Sequence, residues 1–374
     1  MPARSISLAF VVVLASALPQ RAAAQSAIGY GEDATAAPVG SLRLRISNEW
    51  RRSSSSGSVT DSTYDTDLQV RLATLTLEAG LLKRFSIGLS APWVTTKALT
   101  FASSRHAQGM ILDTLYDRSH TGWGNLEAWG KLVWLGDPGQ QARLHLDRGV
   151  HVRSAIVAGA LLGTGTLDDP TDPFDVGTSD RARALAVHSA TDLTIGRRFF
   201  GSFVARYEKP MSDRLTVAVR PADQPFTRNV VPFTASRSLG TRYELELTPR
   251  LQLGKFFGAG IQYRYHHGGQ DSYEGTFTTT QNGNAVTFDA STLNAGTAIT
   301  EHRAGFGAVY SAIEAYTEGR SRFPIEIIFE HSNVISVSGG RPKDSRTSIA
   351  LRLFYRISGS EFRPRAAAPA AATP

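Results

Sequence analysis

Leu42-Arg43-Leu44-Arg45-Ile46-Ser47 sets three large apolar side chains against two arginines and a serine in strict alternation. A period of two is the mark of a β-strand, because successive side chains leave opposite faces of the pleated backbone. One face of this strand is dry and the other is charged. The pattern returns in Tyr243-Glu244-Leu245-Glu246-Leu247, in Ile261-Gln262-Tyr263-Arg264-Tyr265 and in Ile349-Ala350-Leu351-Arg352-Leu353-Phe354-Tyr355-Arg356. Segments of about ten residues cross a bilayer when tilted.

Working outward, the alternation predicts twelve strands, at 41–51, 67–80, 85–96, 123–134, 141–160, 183–195, 200–210, 239–249, 255–267, 299–311, 324–336 and 346–357. The long links, 52–66, 97–122, 161–182, 211–238 and 268–298, are rich in Ser, Thr, Asp, Gly and Asn, and a shorter one covers 337–345. Between them fall short links at 81–84, 135–140, 196–199, 250–254 and 312–323. Long loops on one side and tight turns on the other are the habit of membrane barrels, and a soluble sandwich has no reason to sort its loops this way. The expected fold is all-β: a transmembrane antiparallel up-and-down β-barrel of about 12 strands, spanning 41–357. Strand two changes parity between Leu72 and Leu75 and strand five is overlong, so β-bulges are expected in both.

The ends read differently. Arg4, an apolar run from Ile6 through Leu18 and then Ala22-Ala23-Ala24 have the order of a secretory signal peptide, 1–24, with cleavage after Ala24. That run is far shorter than the roughly 20 residues of a spanning helix. Residues 25–40 are expected as an N-terminal periplasmic segment and 358–374 as a disordered Pro/Ala-rich tail. This order of elements predicts export to the bacterial outer membrane, with outer-membrane lipid and the barrel assembly machinery as partners. There is no cysteine, so neither disulfides nor thiolate metal sites can staple the chain. The formal charge is +7, but its arginines are scattered singly, which argues against nucleic acid as a partner.

Lys83-Arg84-Phe85, Arg197-Arg198-Phe199-Phe200, Lys255-Phe256-Phe257 and Arg322-Phe323 each place cations in a short turn and an aromatic ring at the start of the next strand. Phe85, Phe199, Phe256 and Phe323 are therefore expected in one aromatic girdle, with Trp50, Trp93 and Trp123 in a second at the opposite strand ends.

Parity places Arg43, Arg45, Arg71, Arg143, Arg153, Arg206, Arg264, Arg303, Arg352 and Arg356 inside the barrel, together with Glu78, Glu127, Glu208, Glu244, Glu246, Glu301, Glu326 and Glu330. These are the candidate pore-lining residues. They either fill a narrow lumen with ion pairs or set the solute preference of an open one. No G-x-S-x-G, H-E-x-x-H or phosphate-binding glycine loop is present, so no catalytic residue and no cofactor are assigned. His145, His151 and His188 are expected to face the lumen without a catalytic role. No metal is assigned, although Asp168, Asp169, Asp172, Asp175 and Asp180 crowd one link, with carboxylates of the kind a hard cation takes. His266 and His267 are adjacent on a strand and cannot chelate together.

The stretch Leu75-Thr76-Leu77-Glu78-Ala79-Gly80-Leu81-Leu82-Lys83-Arg84-Phe85-Ser86-Ile87-Gly88-Leu89-Ser90-Ala91-Pro92-Trp93 resembles the outer-membrane β-barrel family annotated with meta-pathway phenol degradation. Thr121-Gly122-Trp123-Gly124-Asn125-Leu126-Glu127 is similar to that family's glycine-rich entry into a downstream strand. The resemblance implies a barrel linked to uptake of small, often aromatic compounds. A channel for small solutes, including organic anions, is the function expected. A closed structural or adhesion barrel is the alternative, and an outer-membrane hydrolase a third.

Overall fold

The computed structural model describes residues 33–356 apart from 60–61, 108–109, 137–148, 170–176, 197, 220–230, 255, 282–283, 318–320 and 340–341. The expected signal peptide, the tail and Arg143 and His145 lie outside the described residues.

Twelve antiparallel strands close into a barrel: β1 (Ser41–Val59), β2 (Ser62–Leu82), β3 (Phe85–Ala107), β5 (Glu127–Leu135), β6 (Val150–Leu162), β7 (Arg183–Ile195), β8 (Phe199–Pro210), β11 (Arg242–Gln252), β12 (Phe257–Gly268), β16 (Ile299–Ser311), β17 (Ile325–Val337) and β18 (Asp344–Arg356). Each pairs with its neighbours in chain order, and β1 joins β18 from Ser41↔Arg356 to Ser53↔Asp344. Closure leaves no open edge around the barrel, which is how a sheet avoids stranding backbone donors. The even number of strands brings the start of β1 and the end of β18 to the same end, the one with the tight turns.

The faces are inverted relative to a soluble protein. Large apolar side chains are exposed all around the outside, among them Ile46, Leu75, Ile87, Leu132, Val187, Phe203, Leu247, Ile261, Phe306, Ile327 and Ile349. Charged side chains are buried inside, and Glu246, Glu326 and Glu330 are at most 2% exposed.

The links hold more structure than expected. Beyond the barrel wall β1 and β2 continue as a hairpin, and β3 returns through β4 (Met110–Trp123). Two further links fold together, β9 (Asp213–Val219) and β10 (Val231–Ser238) pairing with β13 (Ser272–Glu274). With β14 (Thr276–Gln281) and β15 (Asn284–Asp289) they enclose an apolar core of Val217, Val219, Phe233, Ala235, Phe288 and Ala290. At the opposite end the link after β16 makes a helical turn, Ile313–Thr317, whose Ile313 packs on the inward-facing Phe354.

Three expectations need correction. The bulge foreseen in strand two sits on its partner: Arg71 pairs with Thr96 and Leu72 with Val94, so the extra residue, Thr95, belongs to β3. β2 keeps its parity, Leu72 packs inward against Val94, and Arg71 falls on the outer face opposite Trp50. An inward leucine had imitated a parity change. Strand five, β6, begins at Val150 and pairs without interruption with β7, while the irregularity falls on β5 between Val133 and Leu135.

Single spin labels at 71 and 72 test the corrected register. The label at 71 should be relaxed by oxygen dissolved in a surrounding micelle and the label at 72 shielded, and the reverse pattern would restore the parity change.

Candidate functional site

The lumen begins with a segment that has no strand pattern. Asp33 to Ala37 are buried inside the barrel just before β1, and Val39 bridges Gly80 in parallel. The segment crosses from one wall to the other. On the β1–β2 side, the Ala37 amide donates to Glu78 Oε1 (3.1 Å), and Glu78 also accepts from Arg43 Nε (2.8 Å) and Ser86 Oγ (2.6 Å). Asp33 accepts from Arg352 Nη1 (3.1 Å), which also donates to Glu326 (2.8 Å). On the far side the Ala34 amide donates to Asp192 Oδ2 (2.9 Å), itself paired with Arg153 Nη2 (2.8 Å). Ala34 and Ala36 pack against Val133, Ala155, Ala190 and Val204. Lys131 Nζ donates to the carbonyl oxygens of Asp33 and Thr35, each at 3.3 Å. Residues 33–40, part of the expected N-terminal periplasmic segment, thus lie in the barrel, with 33–37 buried there.

One glycine admits this segment. A Cβ at Gly80 would stand 2.1 Å from Pro38 O and 2.3 Å from Ala37 O, inside any tolerable contact. A second glycine clears the wall above it, because a Cβ at Gly88 would meet the Trp129 ring at 2.2 Å, so the indole lies close along the inner surface.

Above the segment is a cavity of about 110 Å³, lined in part by Arg206, Arg264, Arg346, Glu127 and His188. Its charges are tightly paired across strands. Arg206 bonds Glu244 and, at 2.8 Å, Glu246; Arg264 lies 3.4 Å from both carboxylates; and Gln262 Nε2 donates to Glu246 at 2.8 Å. Arg346 reaches Glu49 at 2.7 Å, where Arg51 also binds, while Arg303 bonds Asp344 and Glu301. Arg242 is held by Asp180 and Glu208, both at 2.7 Å. At the mouth, Asn125 donates to Asp180 (3.1 Å) and accepts from Gly165 N (3.1 Å) and Ser179 Oγ (2.8 Å), and Lys97 Nζ donates to Gly177 O (2.7 Å). Arg181 there has φ 52°, a left-handed conformation uncommon for a residue other than glycine.

Of the candidate residues, Arg43, Arg45, Arg153, Arg206, Arg264, Arg303, Arg352, Glu78, Glu127, Glu208, Glu244, Glu246, Glu301, Glu326 and Glu330 lie on the inner face. Arg71 does not, for the reason given above, and nothing is described of the Arg356 side chain. Asp33, Glu49, Arg51, Lys131, Asp192 and Arg346 were missed. Glu49 and Arg51 only needed the alternation of β1 to be continued, whereas Asp33 precedes any alternation.

The aromatic rings lie on the outer surface. Trp50, Trp123 and Phe323 are exposed, Trp93 packs edge-on against Trp123 at 4.8 Å, and Phe85, Phe199 and Phe256 are half-buried at the turn end. His188 is buried against the cavity, while His266 points in and His267 out, toward Thr300. Of the acidic link, Asp168 accepts from the Gly177 amide and Asp180 from Asn125 and Arg242; Asp172 and Asp175 lie outside the described residues. Among the described residues no three His, Asp or Glu side chains gather as a metal site.

No protein-family model matches the chain, and no curated protein is similar to it in sequence. Its fold is shared. The outer membrane channel from Pseudomonas putida F1 superposes with a TM-score of 0.52 at 12% identity, over 88% of this chain and 100% of that one. The transport unit of the autotransporter AIDA-I from Escherichia coli gives 0.40 at 8% identity, over 93% and 97%. OccD3 of Pseudomonas aeruginosa gives 0.33 at 9%, over 86% and 93%. At these identities the likeness concerns the fold, and only the first value is high enough to support it.

Replacing Gly80 by Val should expel residues 33–38 from the lumen while leaving the barrel closed. Limited proteolysis reads this as new cleavage near Ala34 with unchanged strand content. Continued protection would show that the segment does not depend on the clearance at Gly80.

Proposed function

We propose that this chain is a channel of the bacterial outer membrane for the passive passage of small solutes, exported by its N-terminal signal and narrowed by its own residues 33–40. One observation carries the reading: a closed barrel that is apolar outside and charged inside, the arrangement a bilayer selects and water does not. The reading assigns no catalytic group. Lipid covers the apolar wall, and the last strand, ending near Phe354 and Tyr355, is what the assembly machinery would engage.

Solute preference follows from charge and size. Around the N-terminal segment the cavity wall carries Arg43, Arg45, Lys131 and Arg352 against Asp33 and Glu78, which favours small organic anions. Aromatic solutes require more room. The cavities, about 110 and 60 Å³, are smaller than the roughly 150 Å³ of a site that holds benzene, so a ring passes only with the segment displaced. A closed structural barrel is the second reading, favoured by that same segment lying across the lumen.

Planar-bilayer recording separates the two. Small stepwise conductance is expected from the unaltered protein, larger steps from Gly80→Val, and a modest anion preference that weakens with salt, since exposed charges are screened within about 10 Å at 0.1 M. No conductance from either protein would leave the structural barrel. Membrane insertion has its own test: Leu351→Arg should cost roughly 2–4 kcal/mol if residue 351 lies near the midplane, and no cost there would contradict a lipid-facing wall.

A further inference from the structure

The outer face of the wall carries polar groups that the lumen does not use. Tyr207 on β8, Tyr243 on β11 and His267 on β12 are direct cross-strand neighbours pointing outward, and Thr300 on β16 extends the row. Each lies among the last four residues of its strand at the long-link end, where an interfacial ring belongs. The ring centroids of Tyr207 and Tyr243 are 5.2 Å apart and those of Tyr243 and His267 6.3 Å, and His267 Nδ1 is hydrogen-bonded to Thr300 Oγ1 at 3.0 Å. Two exposed cations stand just beyond this row. Lys209 is two residues past Tyr207 on the same face and pairs with Leu185, and Arg183 is two residues before Leu185, so the cations are diagonal neighbours with backbones roughly 7–8 Å apart. Neither is bonded to an acid among the described residues, whereas Arg52, an exposed cation at the same end, is held by Asp67 at 3.1 Å. On the other side of the row, toward the middle of the wall, Val187, Phe203, Leu245 and Leu247 are exposed and apolar.

We propose that this face binds an acylated lipid of the outer leaflet that carries a phosphate monoester, with Arg183 and Lys209 on the phosphate, the Tyr207–Tyr243 pair at the level of the headgroup, and the acyl chains along Val187, Phe203 and Leu245. Charge selects the headgroup. A phosphate monoester carries about −1.5 to −2 charges at neutral pH, which two cations match, and its oxygens accept charge-assisted bonds from guanidinium and ammonium donors. A zwitterionic headgroup would set a cation of its own against Arg183 and Lys209. Position selects a lipid over free phosphate, because exposed ion pairs contribute only about 0–1 kcal/mol each, too little to hold a small ion from water. Acyl chains already lying on the apolar wall supply the rest and keep the phosphate at the cations. The site rests on the reading of this wall as lipid-covered and is independent of conduction.

The test is native mass spectrometry of the refolded full chain in detergent, with dipalmitoyl phosphatidic acid and dipalmitoyl phosphatidylcholine added in equal amounts. Phosphatidic acid should be retained in preference. Arg183→Gln and Lys209→Gln should each weaken its retention by about fivefold or more, the loss of one charge-assisted bond, and the double variant should show no preference. Arg52→Gln makes the same change of charge at the same end and should leave retention unaltered. Excess inorganic phosphate should not displace the lipid. Equal retention of the two lipids, an equal loss in Arg52→Gln, or unchanged retention in both Arg183→Gln and Lys209→Gln would overturn the site. Displacement by inorganic phosphate would make it a site for the free anion, and a dimer that Lys209→Gln dissolves would give the face to a second copy of the chain; either result rejects the proposal. Reconstitution of the same preparation into phosphatidylcholine vesicles keeps the two claims apart. A barrel that inserts but shows no lipid preference rejects the site alone, and one that does not insert rejects the lipid-covered wall itself.

Discussion

A guanidinium taken out of water must find a carboxylate, and the interior of this barrel is organised by that requirement. Alternation sends Arg43, Arg206, Arg264, Arg303, Arg346 and Arg352 inward, and each meets an acid on another strand or in a link. Most of these pairs join neighbouring strands and require their register, and Arg346–Glu49 crosses from β18 to β1, so it forms only once the barrel is closed. Breaking one by removing a single partner would leave a buried charge uncompensated, a cost of about 3–5 kcal/mol where the site stays dry. The fold and the contents of the lumen therefore depend on each other.

The N-terminal segment belongs to the same network. Asp33 supplies a carboxylate between Arg43 and Arg352, and the Ala34 and Ala37 amides use acceptors on Asp192 and Glu78 that already serve arginines. Small side chains make this placement possible. Alanines pass where larger residues would clash, Gly80 lets the chain lie on β2, and Gly88 makes room for Trp129. The lumen is divided in consequence into a larger upper chamber and a smaller one beside the segment, lined by Arg43, Arg45, Lys131 and Arg352 with Asp33 and Glu78.

The barrel was legible because its signal is repeated. Each strand alternates, and an error at one position is outvoted by its neighbours, so each of the twelve barrel strands overlaps the stretch where the pattern puts it, although the ends move by up to about eleven residues, β3 running on to Ala107 and β6 beginning only at Val150. What the pattern hid has physical causes. Ser53 to Val59 reads as loop by composition, yet it continues β1, because a hairpin supplies backbone partners whatever the side chains are. Arg71 was turned inward by Leu72, an apolar residue on the inner face near the mouth, where Leu72 and Val94 pack together. Asp33 to Ala37 carry no periodicity, and their position depends on contacts with residues up to 319 positions away in the chain. Local sequence could not contain that information.

The central claim is that residues 33–37 lie across the lumen between the β1–β2 wall and the β7–β8 wall. Because the chain has no cysteine, a single engineered pair, Ala34→Cys with Ala190→Cys, reports on it without background. A short bifunctional thiol reagent should link the pair in the folded barrel in high yield and fail to link it after denaturation. Independent labelling of both thiols with no crosslink in the folded protein would place the segment outside the lumen and contradict the account.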